Sequence, residues 1–272
     1  MSRISQTMAA LRAAQRKVLI PYLVAGDPDK GTTLGLMHAL VAAGADIIEL
    51  GIPFSDPSSD GTVIQQGAER ALRGGTTLHD VMDIVRQFRA HDAKTPIVLM
   101  GYLNPIEIMG YEAFASAAQA VGVDGVLIVD MPAYECAELF EAVRPRGLDT
   151  VFLVAPTTTE ARLAPICANS TGYLYYVSLK GVTGAAITDK GDIKSKIAHL
   201  RTMTDLPVVV GFGIKDAPSA VDMASISDGV IVGSALVDAI SRLHKGGVAT
   251  PDDLTATVAV IASIRSAIDN IK

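Results

Sequence analysis

The sequence predicts a single (β/α)₈ barrel, with an extra helix at its N-terminus and a short phosphate-binding helix after the eighth strand. Three observations lead there. Eight short, β-branched apolar runs recur at 18–24, 46–50, 96–101, 125–129, 150–154, 173–177, 207–211 and 229–232. These runs are almost wholly apolar rather than alternating, as strands covered on both faces of a parallel sheet must be. Helical patterning fills the gaps between them, and strict strand–helix alternation closes most simply into a barrel. An open doubly wound sheet is the alternative, but the first run is followed by Ala25-Gly-Asp-Pro28, not a Gly-x-Gly-x-x-Gly turn.

The helical stretches fall at 32–43, 78–90, 112–120, 133–143, 160–168, 193–203 and 219–225, with 4–16 and 254–270 at the two ends. No Pro/Ser linker or low-complexity tract interrupts them, so residues 1–272 read as one domain. Hydrophobic residues make up 49% of the chain and charged residues 19%, which excludes a disordered chain. With 29 acids against 23 bases the net charge is −6, which argues against a general nucleic-acid surface. The N-terminal stretch lacks a signal-peptide pattern and no run approaches the ~20 apolar residues of a membrane span. The two cysteines, Cys136 and Cys167, have no CxxC spacing and read as reduced, packed thiols. A cytoplasmic location is the expectation.

In such barrels chemistry sits at the C-terminal ends of the strands and in the loops that follow. Two of those loops, 51–61 and 179–190, are longer than the fold needs. His38, His79, His91, His199 and His244 all fall in helices or outer connections, and Lys17, Lys180 and Lys215 lie outside the strand interiors. A His-built metal site, a histidine base or a Schiff-base lysine is therefore not expected, and carboxylates remain.

Glu49 stands one step from the end of the second run, where burying a charge requires a partner or a raised pKa. It is either a buried ion pair or hydrogen-bonded cap, or a general acid/base tuned by its surroundings. The loop Gly51-Ile-Pro-Phe-Ser-Asp-Pro-Ser-Ser-Asp-Gly61 adds Asp56 and Asp60, each also compatible with plain turn chemistry. Asp27 reads as a cap on the turn after the first strand. Glycines follow strands six, seven and eight in Gly181-Val-Thr-Gly184, Gly211-Phe-Gly-Ile214 and Gly233-Ser-Ala235, the last opening a helical stretch over 235–243. Backbone N–H groups at such turns, with a helix dipole, form the usual barrel phosphate site, so a small phosphorylated substrate is expected.

At this point the chain resembles a known family. Glu49-Leu-Gly-Ile-Pro-Phe-Ser-Asp-Pro57 with Asp60-Gly61 is similar to the signature of the tryptophan synthase α subunits. So are Pro21-Tyr22, Ala25-Gly-Asp-Pro28, Gly101-Tyr-Leu-Asn-Pro-Ile106, Ala155-Pro-Thr-Thr158, Tyr175 to Gly184, Gly211-Phe-Gly-Ile214 and Gly233-Ser-Ala235. The matches run in order over nearly the whole chain.

The resemblance implies a lyase that cleaves indole-3-glycerol phosphate to indole and glyceraldehyde 3-phosphate in tryptophan biosynthesis. It implies Glu49 and Asp60 as the catalytic carboxylates, with Thr183 and Tyr175 positioning the site. It places Gly184, Gly213, Gly233 and Ser234 in the phosphate cradle, and Tyr22, Ile64, Leu127 and Phe212 around the indole. Asp56, Asn104 and Pro105 would face a β subunit in an α₂β₂ heterotetramer. Pyridoxal phosphate would belong to that partner, with no cofactor and no metal in this chain. Ser58-Ser59, Thr62 and Val129 depart from the family pattern, the first three flanking Asp60. The competing readings are another phosphate-binding barrel, an isomerase or synthase, and a non-catalytic barrel that activates a partner subunit.

Overall fold

The computed structural model describes residues 2–178, 190–211, 213–243 and 249–271. Its strand segments are β1 (Val18–Val24), β2 (Ile48–Gly51), β3 (Ile97–Gly101), β4 (Gly125–Ile128), β5 (Asp149–Thr150), β6 (Phe152–Val154), β7 (Leu174–Val177), β8 (Val208–Gly211) and β9 (Gly229–Val232). All pair in parallel, in the order β5-β4-β3-β2-β1-β9-β8-β7-β6. The ends of that order are two halves of one strand. β5 bonds to β4 and β6 to β7, and between them the Val151 N–H still donates to the Val126 carbonyl at 2.9 Å. The ring therefore closes on eight positions, one for each apolar run of the sequence. The run at 150–154 is broken because its hydrogen bonding changes neighbours at Val151.

Strand residues divide between two apolar clusters. Val18, Ile20, Tyr22 and Val24 point into the barrel with Ile47, Val98, Leu127, Tyr173, Tyr175, Val209 and Ile231. Leu19, Leu23, Ile48, Leu50, Leu99 and Val210 point outward to the helices. Both faces are buried, which is why the runs carry no polar alternation. The helix Arg3–Ala13 sets Ile4, Met8 and Leu11 at a 4-then-3 spacing against the interior cluster and so closes the lower mouth. Its N-terminus is capped by the Ser2 hydroxyl, which accepts from the Ser5 N–H at 3.1 Å.

Two helices do not appear among the predicted stretches. Thr62–Arg73 buries Ile64, Gly67, Ala68 and Ala71 on one face and turns its polar residues to the other. Leu103–Met109 contains Asn104-Pro105, which reads as a turn, yet Pro105 lies in the first helical turn where no N–H is required. The stretch at 254–270 is two helices, Pro251–Thr257 and Ala259–Ile268, separated at Val258. The helix after β9 runs from Ser234 to Ile240, starting one residue earlier and ending three earlier than the 235–243 expected. Among the described residues no helix is long and apolar enough to cross a membrane.

Candidate active site

Tyr22 on β1 and Glu49 on β2 are register neighbours, and both face the barrel interior. Glu49 is completely buried. Its Oε1 accepts a 2.5 Å hydrogen bond from the Tyr173 hydroxyl, while Oε2 has no partner among the described residues. Burial raises its carboxyl to about 7, with the Tyr173 bond opposing the rise. Among the described residues Glu49 has no ion-pair partner, and its one hydrogen bond is to a neutral phenol. The strand runs two residues past it, to Gly51, rather than one.

Asp60 lies on the loop after β2 and is partly buried. Its Oδ2 accepts from the Tyr102 hydroxyl at 3.1 Å, and burial raises its carboxyl to about 6. Gln65 Nε2 donates to the Asp60 carbonyl at 2.9 Å and to the Pro57 carbonyl at 3.3 Å, tying the loop to the first turn of the helix behind it. Tyr22 and Tyr175 feel both carboxylates: burial first, then Glu49 and Asp60, keep their phenols protonated. Glu49, Asp60, Tyr22 and Tyr175 therefore share one small volume.

Two glycines make room for those tyrosines. A Cβ at Gly51 would lie 2.3 Å from the Tyr22 hydroxyl, and one at Gly211 would lie 2.3 Å from that of Tyr175. Ile64 and Leu127 are buried in the same interior cluster, and the Gly233 Cα faces Tyr22 and Ile64. Gly233 is the N-cap of the helix Ser234–Ile240, with Ser234 exposed at its first position. Gly213 is exposed with φ +77°, a conformation that favours glycine. Thr183, Gly184 and Phe212 lie outside the described residues.

The match to known proteins is direct. A family model described as tryptophan synthase alpha chain matches residues 8–264. This chain belongs to the tryptophan synthase α-chain family. A relative from Thioalkalivibrio sulfidiphilus, named tryptophan synthase alpha chain, is 58% identical over 242 residues, spanning 89% of this chain and 91% of its own. One of the same name from Marinobacter nauticus is 54% identical over 272 residues, covering 100% of this chain and 99% of its own. The crystal structure of tryptophan synthase subunit alpha from Legionella pneumophila superposes with a TM-score of 0.90 at 42% identity, with 100% of both chains covered. The chain in a tryptophan synthase complex from Pyrococcus furiosus gives 0.80 at 38% identity, over 92% of this chain and 99% of that one.

Two of the departures from the family pattern around Asp60, Ser59 and Thr62, have a local account. Ser59 meets the Tyr102 hydroxyl through its backbone N–H, which donates at 3.0 Å, and its side chain also bonds to that phenol. Thr62 opens its helix after the N-cap Gly61, a position that suits proline and threonine alike. Asp56 and Asn104 are exposed and Pro105 is half-buried, with Ile108 beside them 80% exposed.

The turn-cap reading of Asp27 is corrected. Asp27 is completely buried, and Arg70 grips it with both Nε and Nη2, at 2.7 and 2.8 Å. The cap on the helix Lys30–Ala42 is Asp29, which accepts from the Thr32 N–H at 2.7 Å. Tyr173, Tyr102, Gln65 and Arg70 were not singled out from the sequence. For Tyr173 a signal was available, since it lies two residues before Tyr175 in the same apolar run, a spacing that puts both on one face.

Proposed function

We infer that this chain carries out the α reaction of tryptophan synthase, the retro-aldol cleavage of indole-3-glycerol phosphate to indole and glyceraldehyde 3-phosphate. The observation that carries the reading is the state of Glu49. A carboxyl raised to about 7, with one oxygen held by Tyr173 and the other without a partner, keeps its proton below neutrality and has it free for a substrate. Glu49 protonates the indole ring at C3, so that the resulting indolenine draws electrons from the breaking C–C bond. It then takes the proton from the glycerol hydroxyl as the aldehyde forms. Asp60, ionised above about 6, accepts the indole N–H and stabilises positive charge on that nitrogen. Tyr22, Ile64, Leu127 and Tyr175 offer the apolar walls an indole needs, joined by Phe212, and Thr183 positions Asp60.

The phosphate is assigned to the backbone around Gly184, Gly213 and Gly233 and to Ser234; the last three follow the paired strands β8 and β9. Asp56, Asn104 and Pro105 form the surface for a β subunit, in an α₂β₂ assembly whose pyridoxal phosphate resides in that partner. The terminal helices Arg3–Ala13 and Ala259–Ile268 both contribute to the barrel's apolar clusters, which supports reading 1–272 as one domain. A cytoplasmic location fits an enzyme acting on soluble metabolites.

The test is indole release from indole-3-glycerol phosphate by the purified chain, alone and with a β subunit. Glu49→Gln is expected to lose roughly 10²–10⁴-fold in turnover while still binding substrate. Normal turnover in that variant would remove Glu49 from the mechanism. No indole from the native chain in either setting would overturn the assignment of the reaction itself.

A further inference from the structure

Among the described residues the carboxylate of Asp60 is hydrogen-bonded by one phenol. Tyr102 directly follows β3 and is 4% exposed. Its ring stacks on Phe54 with centroids 5.3 Å apart and an interplanar angle of 27°. Its Oη accepts from the Ser59 N–H at 3.0 Å and donates to Asp60 Oδ2 at 3.1 Å. One side chain thus holds three residues of the loop. Gln65 holds the backbone carbonyls of Pro57 and Asp60 but does not touch the carboxylate. Among the described residues nothing else hydrogen-bonds to the Asp60 carboxylate.

We propose that Tyr102 is a positioning residue for Asp60, fixing its carboxylate toward the site and favouring the ionised form. A phenol has a single proton and two lone pairs. The Ser59 amide occupies one lone pair, so the proton is left to Asp60, and accepting one bond strengthens the donation of the other. The other groups facing Asp60 are the phenols of Tyr22 from β1 and Tyr175 from β7, with Glu49 on β2 close to both. Among the described residues no Lys, Arg or His offsets the burial of this carboxylate, and the Tyr102 hydroxyl does. The proposal rests on the reading of Asp60 as the group that meets the indole nitrogen.

Tyr102→Phe keeps the ring and its stack on Phe54 and removes only the hydroxyl. Losing a hydrogen bond to a carboxylate raises that carboxyl's pKa, so the acid limb of the indole-release profile is expected to move up by about one pH unit. Turnover is expected to fall about tenfold, with KM changed much less. In an Asp60→Asn background the same substitution is expected to cost little more, because its effect runs through Asp60. A fall in rate with the acid limb unmoved, full activity, or simple additivity with Asp60→Asn would each overturn the proposal.

An NMR titration of the Asp60 carboxyl in native and Tyr102→Phe chains decides the matter without substrate. An upward shift supports the proposal and no shift refutes it. If the native chain releases no indole, the assigned reaction fails, while this titration still judges Tyr102.

Discussion

Replacing Glu49 by Gln is expected to change stability in a way that depends on pH, and the size follows from its surroundings. The carboxyl titrates near 4.5 in an unfolded chain and at about 7 in the folded one. The folded state therefore binds the extra proton between those values. Stability from this group is full below about 4.5 and falls as pH rises through 7, the opposite of a salt-bridged carboxylate. A difference of 7 − 4.5 = 2.5 units corresponds to about 3 kcal/mol once both states are ionised. Gln cannot ionise, so it escapes this loss. It keeps an oxygen for the Tyr173 hydroxyl but buries an amide N–H₂ where Oε2 had no partner, a constant cost of about 1–3 kcal/mol. The two curves should thus run with Gln less stable near pH 5 and the gap closing or reversing by pH 8. Denaturant unfolding of both chains from pH 5 to 9 measures this directly, and subtracting one curve from the other cancels every other titrating group. Parallel curves would refute the raised carboxyl, and with it the acid role of Glu49.

Activity carries the same signature. Since Asp60 must be ionised and Glu49 protonated, indole release is expected to follow a narrow bell with limbs near 6 and 7, and Asp60→Asn should erase the acid limb in whatever rate remains. Arg70→Leu strands the fully buried carboxylate of Asp27 and is expected to cost about 3–5 kcal/mol in a thermal or denaturant melt. Gly233→Ala puts a methyl no closer than 3.6 Å to Tyr22, so it is expected to fold normally yet weaken binding of inorganic phosphate and glyceraldehyde 3-phosphate alike; calorimetric titration showing unchanged affinity would remove Gly233 from the cradle. Gly213→Ala is expected to lower stability by about 1 kcal/mol in the same melts, because its φ of +77° strains any L side chain.

The barrel was legible because its strands are buried on both faces. That produces unbroken apolar runs, and eight of them leave few other architectures. The helix Thr62–Arg73 sets Ile64, Gly67, Ala68 and Ala71 on one face and Gln66, Glu69 and Arg73 on the other, so its pattern was legible and was passed over. Glu49 and Asp60 stood out because carboxylates at strand ends are conspicuous. Their supporting residues did not, because Tyr102 and Tyr173 are apolar by pattern and become polar partners only through long-range pairings. Tyr173 bonds a residue 124 positions away and Tyr102 one 42 away. Asp27 illustrates the same limit. A short-range turn rule explained it from sequence, but its partner Arg70 lies 43 residues on, and Asp29 performs the turn role instead.

Glycine placement explains how a packed barrel interior can hold a polar site at its upper end. Lower in the barrel, Val18, Ile20, Ile47 and Ile231 fill the space with side chains that have nothing to donate. At the level of Glu49 the strands change composition. β2 and β8 both end in glycine, and the volume released is taken by the hydroxyl ends of Tyr22 and Tyr175, each from a neighbouring strand. A methyl at Gly51 or Gly211 would collide with those hydroxyls at 2.3 Å, so the exchange is obligatory as a pair. Its consequence is electrostatic. Three neutral phenols, those of Tyr22, Tyr173 and Tyr175, surround Glu49 where lysine or arginine would have held it permanently ionised. Dispersed phenols satisfy one carboxyl oxygen without supplying a counter-charge, which is the condition for a carboxyl that changes its protonation near neutrality.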